Sequence, residues 1–185
     1  MSIRYAILGM LSWQPLTGYD LKQYFRDSLT MYWSGSSNQI YNTLVDLHQE
    51  GLVTRETEDQ ETGPSRKVYS ITTAGEEALR AWLFTAPELP EVKHPFLIQL
   101  AWADTLTPGE MDAMLGQYEE EVDLKLRMVR EQSQRQSVGS KVPNRTPRER
   151  LLWDRINANW AALYEGQLAW VQALRVDLTR FASEN

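Results

Sequence analysis

The chain has 185 residues, 42 % of them hydrophobic, with 19 Lys and Arg against 25 Asp and Glu. That is enough apolar material for one or two packed domains, but no apolar run reaches the roughly 18 residues a membrane helix needs. The absence of cysteine excludes disulfides and thiolate chemistry, and no basic stretch leads into an apolar one at the N-terminus, so a cytoplasmic chain without a signal peptide is expected.

In chain order, residues 3–12 read as an apolar helix carrying Ile7, Leu8 and Leu11. Pro15-Leu16-Thr17-Gly18 breaks it. Tyr19, Leu21, Tyr24 and Phe25 make a second helix over residues 17–28. A third helix is expected over residues 36–50. Ser36 and Ser37 are its candidate caps, because a serine oxygen accepts from the free N–H groups of the first turn. Ile40, Leu44 and Leu47 recur at i, i+4 and i+7 and share one face. Asn38, Asn42 and Gln49 lie opposite, flanked by Gln39 and Asp46. An amide side chain donates and accepts together, which suits it to base edges.

Gly51 suits the left-handed residue that follows a helix. A strand then opens at Leu52-Val53, Gly63-Pro64 marks a hairpin tip, and Val68, Tyr69 and Ile71 return the strand. Thr72 or Thr73 caps a fourth helix over residues 73–84. Helices separated by breaks and followed by a hairpin make a winged helix-turn-helix. Such a unit lays one helix in a DNA major groove and a hairpin beside it. Arg66 and Lys67 stand just past the hairpin tip, where a wing meets phosphates; Arg4, Lys22 and Arg26 add cations.

Ala86-Pro87-Glu88-Leu89-Pro90 marks the expected boundary between a winged-helix domain, residues 1–86, and a helical domain, residues 87–185. The fold class is therefore mainly α, with a three-helix core and a two-stranded wing followed by a helical dimerisation domain. A helix over residues 95–106 carries Phe96, Ile98, Leu100 and Trp102. Thr107-Pro108-Gly109-Glu110 starts the next, with Thr as cap, Pro at the first position and Glu at the third. It runs to about residue 136, with Met111, Leu115, Tyr118, Val122 and Val129 near one stripe. After a polar loop over residues 137–145, Thr146-Pro147-Arg148-Glu149 repeats the start signal for a helix over residues 147–182. In that helix Trp153, Ile156, Trp160, Leu163, Gln167, Trp170 and Leu174 are spaced 3, 4, 3, 4, 3 and 4. This heptad seam suits antiparallel packing and a homodimer interface, with an effector pocket as the other reading of its tryptophans.

The first 86 residues resemble the PadR-like transcriptional regulators. The resemblance is carried by Ala6-Ile7-Leu8-Gly9-Met10-Leu11, Leu16-Thr17-Gly18-Tyr19-Asp20-Leu21, Gln39-Ile40-Tyr41-Asn42-Thr43-Leu44, Leu47, Glu50-Gly51-Leu52-Val53 and Arg66-Lys67-Val68-Tyr69-Ser70-Ile71-Thr72-Thr73-Ala74-Gly75. The C-terminal half resembles the virulence-activator type of helical domain through Phe96-Leu97-Ile98-Gln99-Leu100, Asp104-Thr105-Leu106-Thr107-Pro108 and Leu168-Ala169-Trp170. The resemblance implies a cytoplasmic, homodimeric DNA-binding regulator, most naturally a repressor on a pseudo-palindromic operator. It also implies a small aromatic effector, which phenolic-acid-responsive members of the family have.

The charge pulls the other way. Residues 1–86 hold 7 Lys and Arg against 10 Asp and Glu, a net of −3, and residues 34–50 contain neither Lys nor Arg. A DNA-binding surface is expected to be basic. The alternative function is therefore a winged-helix module that binds a protein partner and binds DNA weakly or not at all. Tyr41 reads either as a boundary residue or as a phosphate contact through its hydroxyl. Ser36, Ser37, Asn38, Gln39 and Asn42 are either a wet helix face or DNA contacts. The two histidines, His48 and His94, fall in different domains, so neither a metal site nor histidine catalysis is expected, nor any enzyme activity or cofactor.

Overall fold

The computed structural model describes residues 3–27, 37–60, 63–87, 89, 93–139 and 145–184. Its contacts divide the chain into two compact units that part at residues 88–89.

The N-terminal unit holds α1 (Ile3–Leu11), β1 (Leu16–Thr17), α2 (Gly18–Asp27), α3 (Ser37–Gln49), β2 (Val53–Gln60), β3 (Gly63–Ile71) and α4 (Thr73–Leu83). Its core is one cluster in which Ile7, Leu8 and Leu11 of α1 meet Leu21 and Phe25 of α2, Ile40, Leu44 and Leu47 of α3, and Val53 and Tyr69 of the sheet. Each of these is an apolar position on one face of its element, and burying such a side chain contributes about 1.5–3 kcal/mol.

The sheet has the order β1-β3-β2, so the wing carries a third strand beyond the two expected. Leu16 and Thr17 pair with Tyr69 and Val68 where the sequence signals only a break. Two residues offer no alternation to read; burial of Leu16 beside Tyr69 supplies the pairing instead. The hairpin differs as well. Gln60 pairs with Gly63, so Gly63 and Pro64 open β3 and are not its tip; residues 61–62 lie outside the described residues. Proline is tolerated there because a strand's first residues, beside a register irregularity, need no ladder donor.

The exit of α3 is fixed by backbone. Gly51 has φ of 75°, its N–H donates to the His48 carbonyl at 3.1 Å, and the Leu52 N–H donates to the Leu47 carbonyl at 2.9 Å. That pair of bonds is the Schellman motif, which closes a helix on a left-handed residue. Thr72 then ties this exit to the next helix. Its N–H donates to the Leu52 carbonyl at 3.0 Å, its hydroxyl donates to the Gly51 carbonyl at 2.8 Å, and the same oxygen accepts from the Gly75 N–H at 3.1 Å. Thr72, not Thr73, is the cap. Gly75 is required by this close approach: a Cβ there would overlap the Leu52 carbonyl oxygen and lie 2.8 Å from Ile71 Cγ1.

The C-terminal unit holds α5 (Pro95–Ala101), a 3-10 turn (Ala103–Thr105), α6 (Pro108–Gly139) and α7 (Pro147–Glu184). The single helix expected over residues 95–106 breaks at Trp102. The spacing explains it. Phe96, Ile98, Leu100 and Trp102 stand two apart, so Phe96 and Leu100 share one helix face and Ile98 and Trp102 the other. Phe96 is buried, whereas Ile98 and Trp102 are 66 % and 78 % exposed. Both long helices open as expected. The Thr107 N–H donates to Glu110 Oε2 at 2.8 Å and the Thr146 N–H to Glu149 Oε2 at 2.8 Å. The reciprocal bonds from Glu110 and Glu149 N–H to the threonine hydroxyls complete two capping boxes. Helix α6 continues three residues beyond the expected end, into the stretch read as a loop; residues 140–144 are outside the described residues.

Helices α6 and α7 are antiparallel, as the order of their cross-links shows. Asp112 and Glu119 meet Arg175 at 3.2 and 3.6 Å, Gln172 donates to Glu119 at 2.8 Å, and Arg130 meets Glu165 at 2.7 Å. Glu119 is thus tied across the pair. The core between the helices takes Leu115 from α6 and Val171 from α7, with Phe96 of α5. Val122, Leu126 and Val129 continue the buried face of α6. Phe96 stacks on Tyr118 at 3.8 Å with Trp170 edge-on to both. The Tyr118 hydroxyl donates to Gln167 Oε1 at 2.7 Å, and His94 Nε2 lies 3.1 Å from that oxygen. Burial raises the Tyr118 hydroxyl above its ordinary value.

Replacing Gly75 by Ala is expected to destabilise the N-terminal unit by about 1–3 kcal/mol, because the added carbon meets fixed backbone. Gly109→Ala, where nothing lies within 4 Å of the added carbon, should be neutral or stabilising by up to about 1 kcal/mol. Urea unfolding midpoints followed by circular dichroism check both.

Candidate nucleic-acid interface

Helix α3 turns one face into the core and the other to solvent. Ile40, Leu44 and Leu47 are at most 2 % exposed, while Asn38, Gln39, Tyr41, Asn42, Asp46 and Gln49 are exposed. The structure therefore brings four of the expected contact residues, Asn38, Gln39, Tyr41 and Asn42, onto one exposed surface. Ser37 begins the helix, but its side chain lies outside the described residues, as does all of Ser36. The sequence reading passed over Val45, which is 44 % exposed among these polar groups. The signal was available, since Val45 follows Asn38 by seven residues and Asn42 by three.

Tyr41 has a specific seat. Its ring lies over Gly18 at the start of α2, so closely that a Cβ on Gly18 would overlap the ring edge. The tyrosine stays 45 % exposed, with its apolar ring on backbone and its hydroxyl available to an acceptor. Next to it, Thr17 and Asp20 bond reciprocally. The Thr17 N–H and hydroxyl donate to Asp20 Oδ2 at 2.9 and 2.7 Å, and the Asp20 N–H donates to Thr17 Oγ1 at 3.1 Å. Asp20 is thus spent on capping. Lys22, two residues on, is exposed. Beside these residues an open cleft of about 630 Å³ is lined by Gln14, Tyr19, Asp20, Gln23, Tyr24 and Arg26.

The wing is less simple than a pair of adjacent cations. Arg66 stands across from Glu58 and Lys67 across from Thr57. Successive strand residues project to opposite faces, so Arg66 and Lys67 do not make one patch. Lys67 shares the face of buried Tyr69, and Arg66 shares that of Val68 and confronts a carboxylate. Arg4 is also committed: its Nη1 donates to Glu50 Oε1 at 2.6 Å and its Nη2 to Glu50 Oε2. That hydrogen-bonded pair raises the guanidinium and holds the Glu50 carboxyl below its ordinary value. A phosphate contact from Arg4 would have to break it. Among the described residues, no cluster of three His, Asp or Glu side chains could hold a metal, and no helix is long and apolar enough to cross a membrane.

The expected seam on α7 is split. Gln167, Trp170 and Leu174 face α6 and α5, helped by Val171 and Asn157, which lie between seam positions and are buried. Ile156 and Leu163 remain 41 % and 50 % exposed, and Trp153 and Trp160 are half-buried.

Residues 7–81 match the Transcriptional regulator PadR-like family. The chain is 37 % identical over 109 residues to the negative transcriptional regulator PadR of Bacillus subtilis; the aligned stretch spans 58 % of this chain and 60 % of that protein. The fold is similar to that of Bacillus subtilis PadR solved with operator DNA, with a TM-score of 0.79 and 26 % identity over 94 % of this chain and 96 % of the other. It is also similar to Bacillus subtilis PadR solved with p-coumaric acid, with a TM-score of 0.78 and 23 % identity over 96 % and 95 % of the two chains. The Vibrio cholerae virulence activator AphA shares the fold too, with a TM-score of 0.69 and 24 % identity over 97 % and 99 %.

The Glu50 carboxyl is depressed in the folded chain, so its contribution to stability is present above its ordinary value of 4.5 and lost as pH falls through the folded one. Arg4→Gln is expected to flatten the acid dependence of unfolding below about pH 5, with a small effect near neutrality because the pair is exposed. Thermal melts of both proteins from about pH 6 to pH 3 check it.

Proposed function

We propose that the chain, whose residues 7–81 match the PadR-like family of transcriptional regulators, is a cytoplasmic, homodimeric transcriptional repressor binding double-stranded DNA. Helix α3 reads the major groove of each half of a pseudo-palindromic operator, and the β2–β3 hairpin rests on flanking backbone. The observation that carries this reading is the uncovered amide face of α3. It is held in one rotation by the stripe Ile40, Leu44 and Leu47 beneath it. Asn38, Gln39 and Asn42 are its base contacts, Tyr41 and Lys22 reach phosphates, Ser36 and Ser37 present the helix N-terminus, and Arg66 and Lys67 serve the wing. The solved PadR–operator complex supports this use of the fold.

The helical domain, residues 87–185, pairs two chains. Support comes from the apolar groups that α7 leaves uncovered within one chain, Ile156 and Leu163, alongside half-buried Trp153 and Trp160. Trp170, edge-on to Tyr118 and 37 % exposed, and Leu174, packed on the helical core, extend the seam. A small aromatic effector releases the DNA by preferring the arrangement that does not bind it. The solved complex of a PadR with p-coumaric acid supports that chemistry.

A fluorescence-anisotropy titration on the DNA upstream of the chain's own gene tests the reading; equal affinity for random duplex would sink it. Asn42→Ala is expected to cost about 1–3 kcal/mol and to relax preference at one base pair. Lys67→Ala should weaken all duplexes alike and reduce the salt slope by about one for each half-site.

Leu163→Glu is expected to convert the dimer to a monomer with helix content unchanged, because Leu163 is half exposed within its own chain and a carboxylate cannot be buried unpaired between two copies. Sedimentation equilibrium and far-UV circular dichroism decide it.

A further inference from the structure

We propose that Val45 is a base-reading residue whose methyl groups pack on the 5-methyl group of a thymine in the operator. The proposal rests on the DNA-binding reading above. Asn38, Tyr41, Asn42 and Val45 stand at i, i+3, i+4 and i+7 of α3, so they form one continuous stripe on its solvent face. Seven residues of helix rise about 10.5 Å, which spans the major groove, about 12 Å wide. Val45 therefore ends the stretch of helix that fits in the groove. It is 44 % exposed, and its neighbours on the face, Asn42, Asp46 and Gln49, are polar and exposed.

The chemistry selects the base. A valine offers no donor or acceptor, and the only apolar group a base pair presents in the major groove is the thymine methyl. A β-branched side chain in a helix is held in one dominant rotamer, so its methyl groups are presented with little entropy left to lose. With no Lys or Arg in residues 34–50, discrimination falls to the amides and to this contact.

The test uses the full-length chain and a duplex site recovered by selection from a random pool. Each thymine of the two half-sites is replaced in turn by deoxyuridine, which lacks only the 5-methyl group. At one thymine per half-site the replacement is expected to weaken binding about fourfold, the worth of one buried methyl, and in both half-sites together about fifteenfold. Val45→Ala should bind the thymine and deoxyuridine duplexes alike at that position, while Val45→Ile keeps the preference. Val45 is outside the core, so all three proteins should melt within a few degrees of one another. Equal binding to every deoxyuridine duplex by the unaltered chain overturns the proposal while leaving DNA recognition intact. So does an undiminished methyl preference in Val45→Ala. Failure to enrich any duplex from the pool overturns the DNA-binding reading itself, and this proposal with it.

Discussion

Everything proposed for this chain depends on the rotation of one helix. Ile40, Leu44 and Leu47 are at most 2 % exposed, and each contributes about 1.5–3 kcal/mol by being so. A rotation of α3 by one residue, about 100°, would lift that stripe from the core and put Gln39, Thr43 and Asp46, or in the other sense Tyr41, Val45 and His48, in its place. The same three side chains that stabilise the domain therefore aim its polar face. The far end is locked by a second device, the Gly51 exit bonded through Thr72 to the start of α4. Helix α3 is thereby held by packing along its length and by backbone at its end.

That geometry changes the meaning of the acidic charge. A net of −3 over residues 1–86 looks poor for a protein that approaches phosphates. The structure makes the shortage sharper: Arg4 is paired with Glu50, Arg66 confronts Glu58 across the ribbon, and Lys67 points to the other face. Long-range attraction is therefore small, and affinity has to come from contacts made at short range. In the proposed reading, amides, a tyrosine hydroxyl and a valine methyl group discriminate between bases, or position the helix, without adding charge. A surface of that kind trades non-specific affinity for selectivity, and a dimer doubles it without adding to the charge of either reading helix.

The C-terminal unit shows where local signals are strong and where they mislead. Thr107 with Glu110 and Thr146 with Glu149 begin their helices as their spacing requires, since a capping box is complete within four residues. The heptad on α7 is a weaker guide. Its regular 3 and 4 spacing identifies a stripe but not the partner, and the antiparallel α6 takes Leu174 and Trp170 together with Val171, leaving Ile156 and Leu163 uncovered. The fan of apolar residues from Phe96 to Trp102 was misleading for a related reason: residues two apart cannot share a helix face.

By itself the sequence determined the face of α3 that is buried, the Gly51 exit and the capping boxes that open the two long helices. All of these are set by contacts within a few residues along the chain, or by periodicity that one helix displays alone. Only the tertiary structure decided what required distant residues to meet. It paired Leu16 with Tyr69 to add a strand, drew Gly63 and Pro64 into β3 and set Arg66 across from Glu58. It seated Tyr41 over Gly18, tied Arg4 to Glu50, and left Val45 in the open. Such choices follow from which surfaces compete for the same core, and a linear pattern records only the competitors.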